Sequence, residues 1–151
     1  MEKALIVIDV QTKYMDKYDS NLINRINERI REAKAEELSI IYVKNTGNPG
    51  NEAEYILADE LLKESDDVYE KRFPSAFTSK EFVERLQGLG LKELELIGVD
   101  GSSCVAKTAF DGVAMGYDVT VNLRCVHSVN DKIFAEVIDK MKAEGIKTSD
   151  K

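Results

Sequence analysis

Histidine occurs once in the 151 residues, as His127; cysteine occurs twice, as Cys104 and Cys125; tryptophan is absent. A single histidine excludes a multi-histidine metal centre. Two cysteines without CxxC spacing supply neither a disulfide framework nor a zinc site, and a cytoplasmic location is expected for them. Basic side chains are the minority, 21 against 28 acidic ones, for a net charge of −7. No basic stripe marks a nucleic-acid footprint, so no nucleic-acid partner is expected. No apolar run approaches the roughly 18 residues of a membrane-spanning helix. The start, Met1-Glu2-Lys3 and then Ala4-Leu5-Ile6-Val7-Ile8-Asp9, is too short an apolar stretch for a signal peptide, and no membrane partner is expected.

What is present is a globular balance, 43% hydrophobic and 32% charged. One domain over residues 1–151 is expected, long enough to bury roughly two thirds of its unfolded surface. Short apolar runs alternate with amphipathic stretches. Leu5–Ile8, Leu38–Val43, Asp67–Lys71, Leu94–Val99, Asp118–Leu123 and Ile146–Thr148 read as strands. Between them, Leu22, Ile23, Ile26, Ile30 and Ala33 recur at helical spacing after Ser20, a candidate N-cap. A helix is expected over Ala53–Leu62, after a loop holding Pro49. Another should open at Thr78-Ser79-Lys80-Glu81, a capping box, with Phe82, Val83 and Leu86 inward. A helix starting near Ser102 should turn Val105, Thr108, Ala109, Gly112 and Val113 inward. The last helix carries Ile133, Phe134, Val137, Ile138 and Met141. This alternation predicts an α/β protein, three layers around a six-stranded, mostly parallel Rossmann-like sheet; the order expected for it is 3-2-1-4-5-6.

In such sheets ligands bind beyond the carboxyl ends of the strands. Asp9-Val10-Gln11-Thr12-Lys13 follows the first strand and is not a glycine-rich dinucleotide turn; no Gly-Lys-Ser/Thr phosphate loop occurs. A phosphorelay receiver would carry aspartate after the third strand, where Lys71 stands. The strand ends instead hold a carboxylate (Asp9), an ammonium (Lys71) and a thiol (Cys104). Cys104 falls in the first turn of a helix, where the dipole and unpaired N–H groups favour a thiolate. Strands about 5 Å apart would place Asp9 and Cys104 close together, with Lys71 roughly 10 Å further out and within side-chain reach.

These residues resemble the isochorismatase-like cysteine hydrolases, the superfamily of nicotinamidases and carbamoylsarcosine-type amidases. Asp9-Val10-Gln11, with Tyr14 three positions on, is similar to its Asp-x-Gln opening. Lys71-Arg72-Phe73-Pro74-Ser75-Ala76-Phe77 is similar to its Lys-x-x-x-Ser-Ala-Phe motif. Gly98-Val99-Asp100-Gly101-Ser102-Ser103-Cys104-Val105 resembles its nucleophile turn, with Thr108-Ala109 and Gly116-Tyr117 following. The resemblance implies a triad of Asp9, Lys71 and Cys104, an oxyanion hole from the backbone N–H groups of Asp100 and Cys104, and a cis Val99–Asp100 peptide. It implies hydrolysis of a small amide or of a ureido or carbamoyl C–N bond through a thioester, with a small molecule as partner and self-association into a homo-oligomer. No metal or organic cofactor is implied. The alternative is a non-catalytic binding or interaction protein on the same fold.

Gln11 serves either hydrogen bonding at the helix start or substrate contact, and Tyr14 and Phe77 either pocket or core wall. Ser75 reads as a turn residue, His127 as a loop histidine and Cys125 as core. Three positions depart from the family pattern. Asn45 to Tyr55 contains no His or Asp where metal-dependent relatives hold ligands, Gly101 stands where many relatives have Thr, and Arg124 stands near a frequent Asp. Cys104 and Cys125 follow adjacent strands, so their thiols could lie close enough to link on oxidation. Alkylation of Cys104 at neutral pH is expected to be fast in an enzyme. Because the ligand set is missing, amide hydrolysis should survive exhaustive chelation; a loss of ammonia release that zinc or iron restores would overturn metal independence.

Overall fold

In the computed structural model, residues 2–47 and 52–150 are described. Pro49 lies outside them. Six strands form one sheet: β1 (Lys3–Ile8), β2 (Ser39–Asn45), β3 (Val68–Lys71), β4 (Glu93–Gly98), β5 (Asp118–Val126) and β6 (Lys147–Ser149). Their order is β3-β2-β1-β4-β5-β6, and every pairing is parallel, so the sheet is wholly rather than mostly parallel. The helices are α1 (Thr12–Met15), α2 (Leu22–Ala35), α3 (Lys80–Gly88), α4 (Cys104–Ala114) and α5 (Asp131–Ala143). Among the described residues no helix is long and apolar enough to cross a membrane.

The central strands are apolar on both sides because helices cover both faces. Ala4, Ile6 and Ile8 of β1 join a core with Phe82 and Leu86 of α3, Val105 and Ala109 of α4 and Met141 of α5. Leu5 and Val7, one position out of phase, face the second core with Leu22, Ile26, Ile30 and Ala33 of α2. The two-residue period of the strand thus divides one hydrophobic run between two cores.

Several boundaries differ from the sequence expectation for identifiable reasons. The cap of α2 is Asn21 rather than Ser20, and Asp19 Oδ1 accepts the Asn21 N–H at 3.0 Å. At α3 the capping oxygen is that of Ser79, which accepts from Phe82 N; Thr78 instead donates to the Ser75 carbonyl at 2.7 Å. The helix expected over Ala53–Leu62 is absent. A 3₁₀ turn spans Glu52–Tyr55, then Leu57 bridges Gln11 in extended form and Ala58 N donates to Val10 O. Ala58 and Leu61 are still buried, so their spacing served packing rather than a helix. In α5 only Met141 is fully buried, and Ile133 is 47% exposed. β5 runs three residues beyond Leu123, past a register shift that pairs Val126 with Gly98.

Gly98 ends β4 at φ 121°, a conformation that disfavours any Cβ, and an added Cβ would collide with the Ile8 carbonyl. That close approach sets the end of β4 directly against the end of β1. Gly98→Ala should therefore cost at least about 2 kcal/mol in urea unfolding. Gly88→Ala, where nothing lies within 4 Å of an added Cβ, should be neutral or slightly stabilising. Equal midpoints for the two variants would refute this view of the β1–β4 junction.

Candidate active site

Asp9 is the first residue past β1 and takes φ 54°, a left-handed conformation uncommon for a residue with a Cβ. Its N–H donates to Val43 O at 2.9 Å and its carbonyl accepts from Gln11 N, which fixes the turn. Lys71 ends β3, two strands away, and Cys104 is the first residue of α4. Their side chains meet. Lys71 Nζ lies 3.0 Å from Asp9 Oδ2 and 3.5 Å from Cys104 Sγ. Asp9 and Lys71 are both buried, while Cys104 is partly exposed. Thr108 adds a brace: its Oγ1 donates to Cys104 O at 2.7 Å and accepts from Ala76 N at 3.0 Å. The nucleophile turn and the segment after Lys71 are thereby tied to one hydroxyl.

The electrostatics differ from what the helix start alone would dictate. Burial pushes the Cys104 thiol up to about 11, and the neighbouring Asp9 carboxylate pushes the same way; Lys71 only partly offsets them. Burial also raises the Asp9 carboxyl, against the Lys71 charge and hydrogen bonds that lower it. Oδ1 of Asp9 is buried with no hydrogen-bond partner among the described residues. Burial thus works against a thiolate at Cys104, despite its place at a helix start.

The Val99–Asp100 peptide is cis. Among the described residues neither Asp100 N nor Cys104 N donates a hydrogen bond, whereas Gly101, Ser103 and Val105 N–H groups are all committed to carbonyls. The Asp100 carboxylate is occupied elsewhere, accepting from Val129 N at 3.1 Å and Ser128 Oγ at 3.4 Å. A cavity of about 260 Å³ opens on Cys104 and Asp9; Tyr14, Lys17, Tyr18, Asn45, Ser103 and Val129 line the rest of it, with Val99 and Asp100. That volume is at the small end for ligand sites. A larger space of about 650 Å³ runs along β3 and the start of α3 but reaches neither Asp9 nor Cys104. Among the described residues no three His, Cys, Asp or Glu side chains gather where a metal ion could sit.

Two residues expected as pocket candidates do not line this cavity. Gln11 is fully buried, and its amide is spent on backbone: Nε2 donates to Asn45 O and Tyr55 O, and Oε1 accepts from Asn45 N at 2.8 Å. It closes the loop after β2 rather than meeting a ligand. Phe77 packs edge-on against Phe82, 5.4 Å between centroids, and beside Tyr117, so it is core wall. Tyr14 does line the cavity. Asn45 and Ser103 follow β2 and β4, at strand ends where a ligand was expected; Lys17, Tyr18 and Val129 were not expected, and Tyr18, four residues after Tyr14, carried the one usable signal, that of the same helical face. Ser75 accepts from Phe77 N within its turn, and His127 is half-buried with its ring edge-on to Tyr18. Gly101 has a local reason, because an added Cβ would lie 2.6 Å from the Phe134 ring. Arg124 pairs with Glu28 at 2.9 Å. The expected closeness of the two thiols is not met: Cys125 faces the α2 core, its Sγ on Arg25 O, while Cys104 packs against the other core.

A doubly wound α/β sheet with a half-buried cysteine opening the helix after β4, and a buried acid–lysine pair beside it, defines a recognisable class. The chain matches the Isochorismatase domain over residues 3–151 and belongs to that family. It is 28% identical over 132 residues to a secreted isochorismatase effector of Verticillium dahliae, covering 80% of this chain and 70% of that protein. A probable inactive nicotinamidase of Arabidopsis thaliana is 35% identical over 91 residues, which cover 58% of this chain and 46% of that one. The nicotinamidase of Staphylococcus aureus shares the fold at a TM-score of 0.87 with 21% identity, over 100% of this chain and 99% of that one.

The raised thiol has a direct consequence. At pH 7.5 Cys104 should react with iodoacetamide more slowly than a cysteine in an unstructured peptide, contrary to the expectation of fast alkylation at neutral pH. The rate should climb about tenfold per pH unit to at least pH 10. A rate that levels off below pH 8 would show a thiolate at rest.

Proposed function

We propose that the protein is a cysteine hydrolase of a small amide or of a ureido or carbamoyl C–N bond. The observation that carries this reading is the meeting of Lys71 Nζ with both Asp9 Oδ2 and Cys104 Sγ at the floor of a small cavity. With the thiol well above neutrality, proton transfer to Asp9 is uphill at rest. It proceeds as Sγ bonds to the carbonyl carbon and negative charge passes to the carbonyl oxygen. The uncommitted N–H groups of Asp100 and Cys104 are suited to receive that oxyanion, and holding it is usually the largest source of rate enhancement in acyl transfer. Asp9, now protonated, gives its proton to the departing nitrogen as the C–N bond breaks. Water, deprotonated by Asp9, then attacks the thioester and frees Cys104. Lys71 keeps Asp9 ionised between these steps. The cavity volume favours small substrates.

A second reading, a non-catalytic binding protein, is favoured by the plant relative described as a probable inactive nicotinamidase. An ammonia-release screen over amides, ureido acids and carbamoyl compounds separates the two, with Cys104→Ala as the blank. No compound turned over above that blank would favour the second reading.

For a substrate so found, Lys71→Met should lower turnover on the order of 100-fold or more. The sign of its pH effect follows from the charges. Lys71 lowers the Asp9 pKa, so its loss raises that pKa further. The acid limb of kcat/KM, already above the ordinary carboxylate value, should move to higher pH in the variant. A Lys71→Met protein within a few-fold of the parent and with an unmoved acid limb would remove Lys71 from the mechanism.

A further inference from the structure

Beyond Asp9 at its floor, the cavity above Cys104 is lined by two charged side chains, Asp100 and Lys17, and of these only Lys17 is uncommitted. Asp100 is held by Val129 N and Ser128 Oγ, as described. Lys17, two residues past α1, is exposed at the rim; its Nζ lies 5.6 Å from the Tyr14 ring centroid. No carboxylate pairs with it among the described residues, although its neighbours find partners: Asp19 takes Arg25, and Lys13 reaches Glu54. Tyr14 and Tyr18 line the same rim. Burial raises both phenols, Tyr14 to about 12, so each stays a neutral O–H donor, and neither hydroxyl makes a hydrogen bond among the described residues. The rim thus offers an ammonium and two phenol donors. The acceptor chemistry that matches such a set of donors is an anion, because an ammonium and phenol O–H groups make their strongest hydrogen bonds to a carboxylate.

We propose that Lys17 is the specificity-determining anchor for a carboxylate at the end of the substrate remote from the bond that is cleaved. The site then takes anionic amides or ureido acids in preference to neutral ones of the same size. Lys17 does not touch the reacting atoms; it selects and orients. The inference rests on the hydrolase reading for its biological meaning, but the site's preference for charge can be measured without any turnover.

Two thiol reagents of equal size serve as probes. Bromoacetylglycine carries a carboxylate beyond its amide, and bromoacetylglycinamide is its neutral counterpart; in each, Sγ displaces bromide and forms one C–S bond. The rate constants for Cys104, read by mass spectrometry at pH 9, give an anion-to-neutral ratio. In Lys17→Met this ratio should fall about fivefold from the parent value, while the rate with the neutral reagent stays within twofold. Lys17→Arg should keep most of the preference, and raising the salt should shrink it in the parent and in that variant but not in Lys17→Met. The exposed position of Lys17 leaves folding unaffected in all variants. A ratio in Lys17→Met within twofold of the parent overturns the anchor and leaves the hydrolase reading standing. A Cys104 that neither reagent modifies faster than Cys125 would mean that the cavity does not lead to the thiol, and both readings fall.

Discussion

A carboxylate and an ammonium buried together, Asp9 and Lys71, are the constraint around which the rest of the molecule is arranged. Each charge alone would be costly in that interior, and removing either partner strands the other. Their pairing requires the ends of β1 and β3 to be held in register through β2. The sheet supplies this: Val43 receives the Asp9 N–H, and Asn45 is aligned with Lys71. Gln11 then spends its whole amide on closing the loop that leaves β2, so that the strand end between the two charges cannot drift.

The same pair sets the state of the cysteine. A thiol at a helix start is ordinarily eased toward the thiolate. Here burial and the adjacent carboxylate outweigh the lysine and push the thiol up. A thiol held up in this way reacts only slowly with adventitious electrophiles near neutral pH, and faster as the pH rises.

Much of this was legible in the sequence, for a reason that can be stated by residue. A strand buried on both faces needs a continuous apolar run, and Ala4 to Ile8 supplies one; the parallel sheet and the three strand-end groups were legible from such runs and from the motifs that end them. What stayed hidden depended on which backbone groups a side chain meets. Nothing in Gln11 says that Asn45 and Tyr55 will take its amide, and nothing in Phe77 separates a pocket wall from a place against Phe82. The stretch from Ala53 to Leu62 has helical spacing, yet Ile56 and Leu57 are drawn into an extended bridge with the segment after β1. The rim was the least legible part, because Lys17 and Tyr18 follow a helix of only four residues.

The separation of the two cysteines by the sheet bears on the chemistry of damage. A sulfenic acid is usually rescued when a nearby thiol condenses with it, and the resulting disulfide halts oxidation at a reversible stage. Cys125, turned into the α2 core, is no such resolving partner for Cys104. Once oxidised to the sulfenic acid, Cys104 depends on a small thiol diffusing into the cavity from outside; without one, a second equivalent of peroxide takes it to the sulfinic acid, from which ordinary reductants do not bring it back.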